Sequence, residues 1–304
     1  MKVALTVDDL PVWPHDPYPE GYSAESITNA LIRALAKAGI SGVFAFSNSW
    51  ALVHDPTLAR VLDRWVEAGH HVANHTHRHP IINDVSAEAY EEEIALAEKY
   101  LDPWLSRAPR KFFRYTLNLW GDTEDKVRKV KAYLDAKGYS VAEVTTWFYE
   151  WDWNHAYWNC LLTSDRDGIN FLKRTFLEFS VAQLKYDHEE ATKWFGREIS
   201  GVILAHNVPF FAEVAEDFFS GLRAEGVEFI PLTEAAADPI YQGAASLVST
   251  RFLVYHQKLA DARGRTVPQI APGFETIHTR IRAMGEHLRP KDLSKYLGRM
   301  VRGS

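Results

Sequence analysis

The sequence predicts an α/β protein: a distorted (β/α) barrel of about seven parallel strands, followed by a helical C-terminal extension. Two observations lead there. One phrase recurs along the first part of the chain: an amphipathic stretch, a glycine able to stop a helix, then a short apolar run rich in β-branched or aromatic residues. Residues with chemistry to offer stand where those runs end, and parallel α/β folds gather functional groups at strand ends.

The first strand is the run at 3–7. The stretch 31–39 leads into 42–46, and 58–69 leads into 70–73. The stretch 127–138 leads into 140–144, and 211–226 leads into 227–230, while 112–114 and 201–205 supply the remaining strands. Helix starts agree with this alternation. Asp55-Pro56 sets a cap residue before a proline at the first helical position, and Ser86 precedes an acidic first turn. Residues 165–195 read as one long helix. No glycine-serine or proline-rich linker divides the chain before Tyr241, so 1–242 reads as one barrel domain and 243–304 as a basic, mainly helical extension. Within that extension 279–284 and 293–301 look helical, separated by Arg289-Pro290.

Of the 304 residues, 46% are hydrophobic and 24% charged, the balance of a folded globular protein, and no uncharged apolar run is long enough for a membrane span. The single cysteine, Cys160, excludes an internal disulfide and any multi-cysteine metal site. With aspartates directly after the first apolar run there is no secretory signal pattern, and a cytoplasmic location is expected. Net charge is −6, unevenly spread: 243–304 carries eleven Lys and Arg against four Asp and Glu, a balance of +7 that leaves −13 for the rest. Lacking a dense basic run or interleaved aromatics, the extension is not expected to bind nucleic acid. It is expected to pack on the acidic body or to join a second subunit as a homo-oligomer.

Three strand ends carry the chemistry. The first strand closes in Thr6-Val-Asp8-Asp9, where neighbours on an extended chain point to opposite sides, so one carboxylate could bind a metal while the other faces a reactant. Taken alone, an Asp-Asp pair is more commonly a cap or turn. Next comes His70-His-Val-Ala-Asn-His75-Thr-His77-Arg-His79-Pro80, five histidines within ten positions. Imidazoles must converge at about 2 Å on a metal. Residues four apart converge in a helical turn and residues two apart on a strand, so both geometries allow His75 with His79 and only the extended one adds His77. The third is His206, directly after the buried run 201–205, a candidate general acid. In addition, residues 147–158 hold four of the ten tryptophans, rings that could stack on a sugar or simply pack the barrel mouth.

In this order the motifs resemble the polysaccharide deacetylases that share the NodB homology domain, carbohydrate esterase family 4, across about residues 1–240. Thr6-Val-Asp8-Asp9 resembles the family's first motif, and 69–80 closely resembles the second. Phe113-Arg114-Tyr115 resembles the third, Asp152-Trp153 the fourth and Leu204-Ala-His206 the fifth. The resemblance implies a divalent metal, with Zn2+ expected, held by Asp9, His75 and His79, with His77 outside its shell. It implies Asp8 as base, Arg114 orienting Asp8, His206 as acid, and Asp152 orienting and charging His206. The backbone N–H of Tyr115 would steady an oxyanion, and Tyr115, Trp151 and Trp153 would contact the substrate. That substrate would be an N- or O-acetylated sugar or oligosaccharide, losing acetate. After Arg114 the family has a proline and then a glycine close by. Here Tyr115-Thr-Leu-Asn-Leu-Trp120-Gly121 intervenes, which implies a differently shaped groove. The rival readings are a C–N hydrolase of the same fold acting on a small amide or cyclic ureide, and a metal-containing carbohydrate-binding module without turnover. Asp8 and His206, needed for chemistry but not for binding, disfavour the latter.

Overall fold

The computed structural model describes residues 1–12, 18–242 and 247–289. Its sheet contains β1 (Lys2–Leu10), β2 (Phe44–Ser47), β3 (His71–Asn74), β4 (Phe112–Phe113), β5 (Ser140–Val141), β6 (Thr146–Trp147), β7 (Gly201–His206) and β8 (Glu228–Phe229). The order is β5-β4-β3-β2-β1-β7-β6, with every pairing parallel. β8 pairs with Lys2 and Val3 at the start of β1; since Val3 also pairs with β7, β8 takes the edge that β2 occupies further along. The expected distorted (β/α) barrel is therefore the fold. β1 and β7 are buried almost throughout because helices cover the outside of the curled sheet and side chains fill the inside.

The sequence reading differs from the structure at 140–144, which is not one strand. The chain pairs with β4 for two residues, crosses the open side of the barrel, and re-enters on β7 as β6. Helix signals translate more directly. Ser86 accepts from the Ala89 N–H and caps Ala87–Leu105, while Asp55 caps the 3-10 turn Pro56–Leu58 that opens onto Ala59–Glu67. The long helix runs Arg166–Phe195. No helix among the described residues is long and apolar enough to cross a membrane.

Residues 249–255 fill the seam between β5 and β6. The Ser249 N–H donates to Gly121 O (2.9 Å), the Tyr255 N–H to Val144 O (2.7 Å), and Asn118 Nδ2 to Leu253 O (2.7 Å). Phe252 stacks on Trp147 with ring centres 4.2 Å apart. The helix Glu275–Gly285, which includes the expected 279–284, packs on Glu150–Thr163. The expected helix at 293–301 lies outside the described residues. Contact between the two helices is close: a Cβ at Gly285 would stand 2.6–2.7 Å from atoms of His155 and the backbone of Ala156. Gly285→Ala should therefore force the helices apart and cost about 1–3 kcal/mol. Urea unfolding and proteolysis of the 275–289 segment would check this, and an unchanged midpoint would refute it.

Two histidines are buried in neutral form. Burial pulls both His70 and His256 down to about 4, and His70 Nδ1 accepts the Val43 N–H, which a protonated ring could not do. In the unfolded chain both protonate near 6.5. The fold thus binds fewer protons between about 4 and 6.5, so their contribution to stability is complete above 6.5 and is lost as pH falls toward 4. Each group so shifted costs about 2 kcal/mol between pH 7 and 5. The loss in urea midpoint between those pH values should shrink in His256→Phe relative to the wild type.

Candidate active site

Strand ends converge on one buried cluster. β1 reaches Asp8 and Asp9, β3 runs into the loop carrying His75 and His79, Arg114 follows β4, and β7 ends on His206. The expectation that Asp8 and Asp9 face opposite sides fails locally. Pairing of β1 with β2 skips Asp9, a β-bulge, and Asp9 takes a left-handed φ of 66°. As a result both carboxylates face the same nitrogen: His75 Nε2 lies 3.7 Å from Asp8 Oδ2 and 3.8 Å from Asp9 Oδ1.

Asp9 Oδ1 is also 3.8 Å from His79 Nε2, and the ligand atoms of Asp9, His75 and His79 all lie within 4.8 Å of one another. Oxygen and nitrogen ligands about 2 Å from a tetrahedral ion stand roughly 3.3 Å apart, so a small contraction of this triad would enclose one. The donor set fits a divalent cation on two further counts. Asp9 Oδ1 is buried without a hydrogen-bond partner among the described residues, and burial pushes its carboxyl above the ordinary range, with His75 and His206 pulling the other way. His75 donates from Nδ1 to Arg114 O (2.8 Å), a bond that fixes the tautomer and leaves Nε2 as a lone pair aimed at the triad.

The histidine loop is held in a strained shape, with left-handed φ at Thr76 (72°) and His79 (55°). Asn48 Nδ2 donates to His75 O (2.6 Å), Glu93 accepts from the Arg78 N–H (2.7 Å), and Thr76 Oγ1 accepts from the His79 N–H (3.1 Å). His77 turns out of the cluster, with Nδ1 2.7 Å from Ser49 Oγ and its ring stacked on Tyr100.

On one side of the triad, Arg114 Nη1 donates to Asp8 Oδ1 (2.6 Å) and Thr6 Oγ1 (2.8 Å), while its plane lies 4.0 Å over Phe46. On the other side His206 Nε2 is 3.9 Å from Asp9 Oδ2, and its Nδ1 is 2.6 Å from Glu150 Oε1. Burial pulls the His206 imidazole down, but Glu150, Asp9 and Asp8 outweigh it and leave the ring above its ordinary value.

Two expectations need correction. Asp152 does not reach His206; it faces outward onto the C-terminal helix, accepting from His278 Nε2 (2.8 Å) and from Arg289, while Glu150 stands against His206. The helix begins at Glu150, after a left-handed Tyr149. Two residues along a helix rotate a side chain by about 200°, so Glu150 and Asp152 face opposite ways. Trp153 is fully buried, stacked on Phe179 and His278, and cannot line a groove. The Tyr115 ring is likewise buried, against Tyr90 and Phe113, leaving only its backbone near the site. Trp151 remains half-buried, edge-on to His206 with ring centres 5.4 Å apart. Sequence reasoning missed Glu150 and also Trp50, a half-buried ring on a small pocket beside His79 that includes Asn48 and Arg78. The position of Trp50, just after β2, was the available signal.

The model of a known family, polysaccharide deacetylase, matches residues 1–139, which carry the Asp8-Asp9 strand end, the histidine loop and Arg114. Over residues 1–139 the chain is similar to the polysaccharide deacetylase family. No curated protein matches the chain in sequence. Among solved structures, a mutant of a CE4 family pseudoenzyme with restored enzymatic activity is 14% identical, with TM-score 0.52, covering 77% of this chain and 66% of that one. The wild-type pseudoenzyme, from Bacillus anthracis, is 13% identical at the same TM-score, covering 77% and 64%. A family 4 carbohydrate esterase from Streptomyces lividans in complex with acetate is 18% identical with TM-score 0.48, covering 77% and 95%. The chain spans just under two thirds of the length of the pseudoenzyme structures, and the likeness is one of fold.

Metal content is the direct measure of the triad. His75→Ala and His79→Ala should each lose the ion, lowering affinity by tenfold or more on the order of what losing one ligand contact costs. His77→Ala should keep it. Loss in His77→Ala with retention in the other two would move the site to the extended geometry.

Proposed function

We propose that the protein is a metal-dependent deacetylase that removes acetyl groups from an N- or O-acetylated carbohydrate. Since similar folds include a pseudoenzyme, fold alone cannot carry this reading. It is carried by the two proton-handling pairs, Asp8–Arg114 and Glu150–His206, that flank the Asp9, His75 and His79 triad from different sides. A binding module would need the triad but neither pair.

Asp9, His75 and His79 would hold a divalent ion, with zinc the expected one, and when bound it would supply Lewis acidity to a water and to the acetyl carbonyl. Asp8, steered by Arg114, takes the proton from the attacking water. Glu150 holds His206 by Nδ1 and favours its protonated form, so Nε2–H points back toward the cluster and can protonate the departing nitrogen or oxygen. The backbone N–H of Tyr115, next to Arg114, is the candidate donor to the developing oxyanion. Acetate and a free amine or hydroxyl leave. Trp50, lining a pocket with His79, and Trp151, edge-on to His206, are half-buried rings whose apolar faces suit stacking on a sugar, which supports a carbohydrate over a small ureide.

Acetate release from N- and O-acetylated sugars, with zinc or another divalent ion added, tests the reading. Asp8→Asn and His206→Ala should each lower kcat by roughly 10²–10⁴-fold while retaining metal. Glu150→Gln should lower it by roughly tenfold or more, and Asp152→Asn much less. Near-wild-type turnover in Asp8→Asn or His206→Ala would remove that residue from the mechanism, and amide hydrolysis without acetate would favour the C–N hydrolase.

A further inference from the structure

A buried lysine from the C-terminal extension lies behind Arg114. Lys258 is fully buried, which is rare for lysine unless it is paired. Its Nζ sits 2.6 Å from Glu143 Oε2, 3.1 Å from Asn118 O, and 4.0 Å over the Trp120 ring. The other oxygen of Glu143 accepts from Trp120 Nε1 at 2.7 Å. Both carboxylate oxygens are therefore engaged away from Arg114, although Glu143 lies close enough for its charge to act on that guanidinium. Arg114 is bound through Nε to Ala142 O (3.2 Å) and through Nη1 to Asp8, and its buried Nη2 has no partner among the described residues. The charges run Asp8, Arg114, Glu143, Lys258 with alternating sign.

We propose that Lys258 is a positioning residue for the site: by saturating Glu143 it keeps that carboxylate from capturing Arg114 and so leaves Arg114 on Asp8. Without Lys258, Glu143 becomes an uncompensated buried charge, and Arg114, on which that charge already acts, has a buried Nη2 with no partner among the described residues. The guanidinium then has two carboxylates to choose between, and each fraction of Arg114 drawn to Glu143 releases Asp8 from its orientation. The same lysine also ties the unusual loop after Arg114 to the extension, because Asn118, which it binds, holds a left-handed φ of 54° and itself donates to Leu253 O. The 247–258 segment is on this account part of the working site, although no residue of it touches the triad. The kinetic consequence rests on the reading of Asp8 as the base.

The test uses the full chain loaded with zinc, as Lys258→Met, Glu143→Gln and the double variant. Lys258→Met should lower kcat by about tenfold or more with KM changed less than about threefold, and without loss of zinc. Adding Glu143→Gln should return kcat to within about threefold of the wild type, since the competing carboxylate is gone. A purely packing role predicts the opposite, a double variant at least as impaired as the single one. Wild-type kcat in Lys258→Met, or a double variant no faster than Lys258→Met, overturns the proposal. Should Lys258→Met be too unstable to purify, the double variant decides: turnover near wild type upholds the proposal, and a folded, zinc-loaded but slow double variant overturns it. If the wild type itself releases no acetate, the deacetylase reading fails separately, and crystal structures of the variants read the proposal instead. Arg114 should leave Asp8 for Glu143 in Lys258→Met and return in the double variant; an Arg114 that stays on Asp8 throughout overturns it.

Discussion

Parallel pairing of β1 with both β2 and β7 is the constraint from which the site follows. A strand bonded on both edges cannot slide, so the register that sets Asp8 beside Phe46 and beside His206 fixes where the base candidate and the acid candidate stand. The bulge at Asp9 then breaks the alternation of the strand at its last turn. It brings a second carboxylate to the same end of the sheet, at the cost of a left-handed backbone about a residue other than glycine. Such strain persists only where the surroundings over-determine it, and here every neighbouring strand end contributes a contact.

Around that centre the protein buries several ionisable side chains. Asp8, Asp9, Arg114, Glu143, Glu150, Asp152 and Lys258 are all nearly inaccessible. Each lies against a charge of opposite sign or a potential metal ligand, since an unpaired buried charge would cost several kcal/mol. The same need accounts for the C-terminal segment. Lys258 and Arg289 come from it to meet Glu143 and Asp152, and its apolar residues cover the seam that β5 and β6 leave open. Among the described residues Arg282 also faces Asp152, at 3.9 Å.

Much of the cluster was legible in the sequence because strand ends are where parallel folds expose side chains. Asp8, Arg114 and His206 directly follow apolar runs, and Asp9, His75 and His79 lie within a few residues of one, so the fold class placed them at strand ends while the resemblance to a known family supplied their roles. Glu150 and Trp50 were not legible in the same way. The segment after β6 contains two acids two residues apart, and which of them faces His206 depends on where the helix begins, a matter settled by the left-handed turn at Tyr149. Trp153 was misassigned because aromatic composition does not say which face of a helix a ring takes.

The sequence by itself determined the alternation of helices and strands, the presence of a histidine cluster whose spacing could serve a metal, and the exclusion of an internal disulfide through a single cysteine. These depend on local periodicity and residue type, which are properties of short stretches. Tertiary structure alone decided that Asp8 and Asp9 share a side, that Glu150 rather than Asp152 meets His206, and that Lys258 stands behind Arg114. Each of those depends on a pairing register, a helix phase or a contact across more than a hundred residues. No window of sequence holds both partners of such a contact.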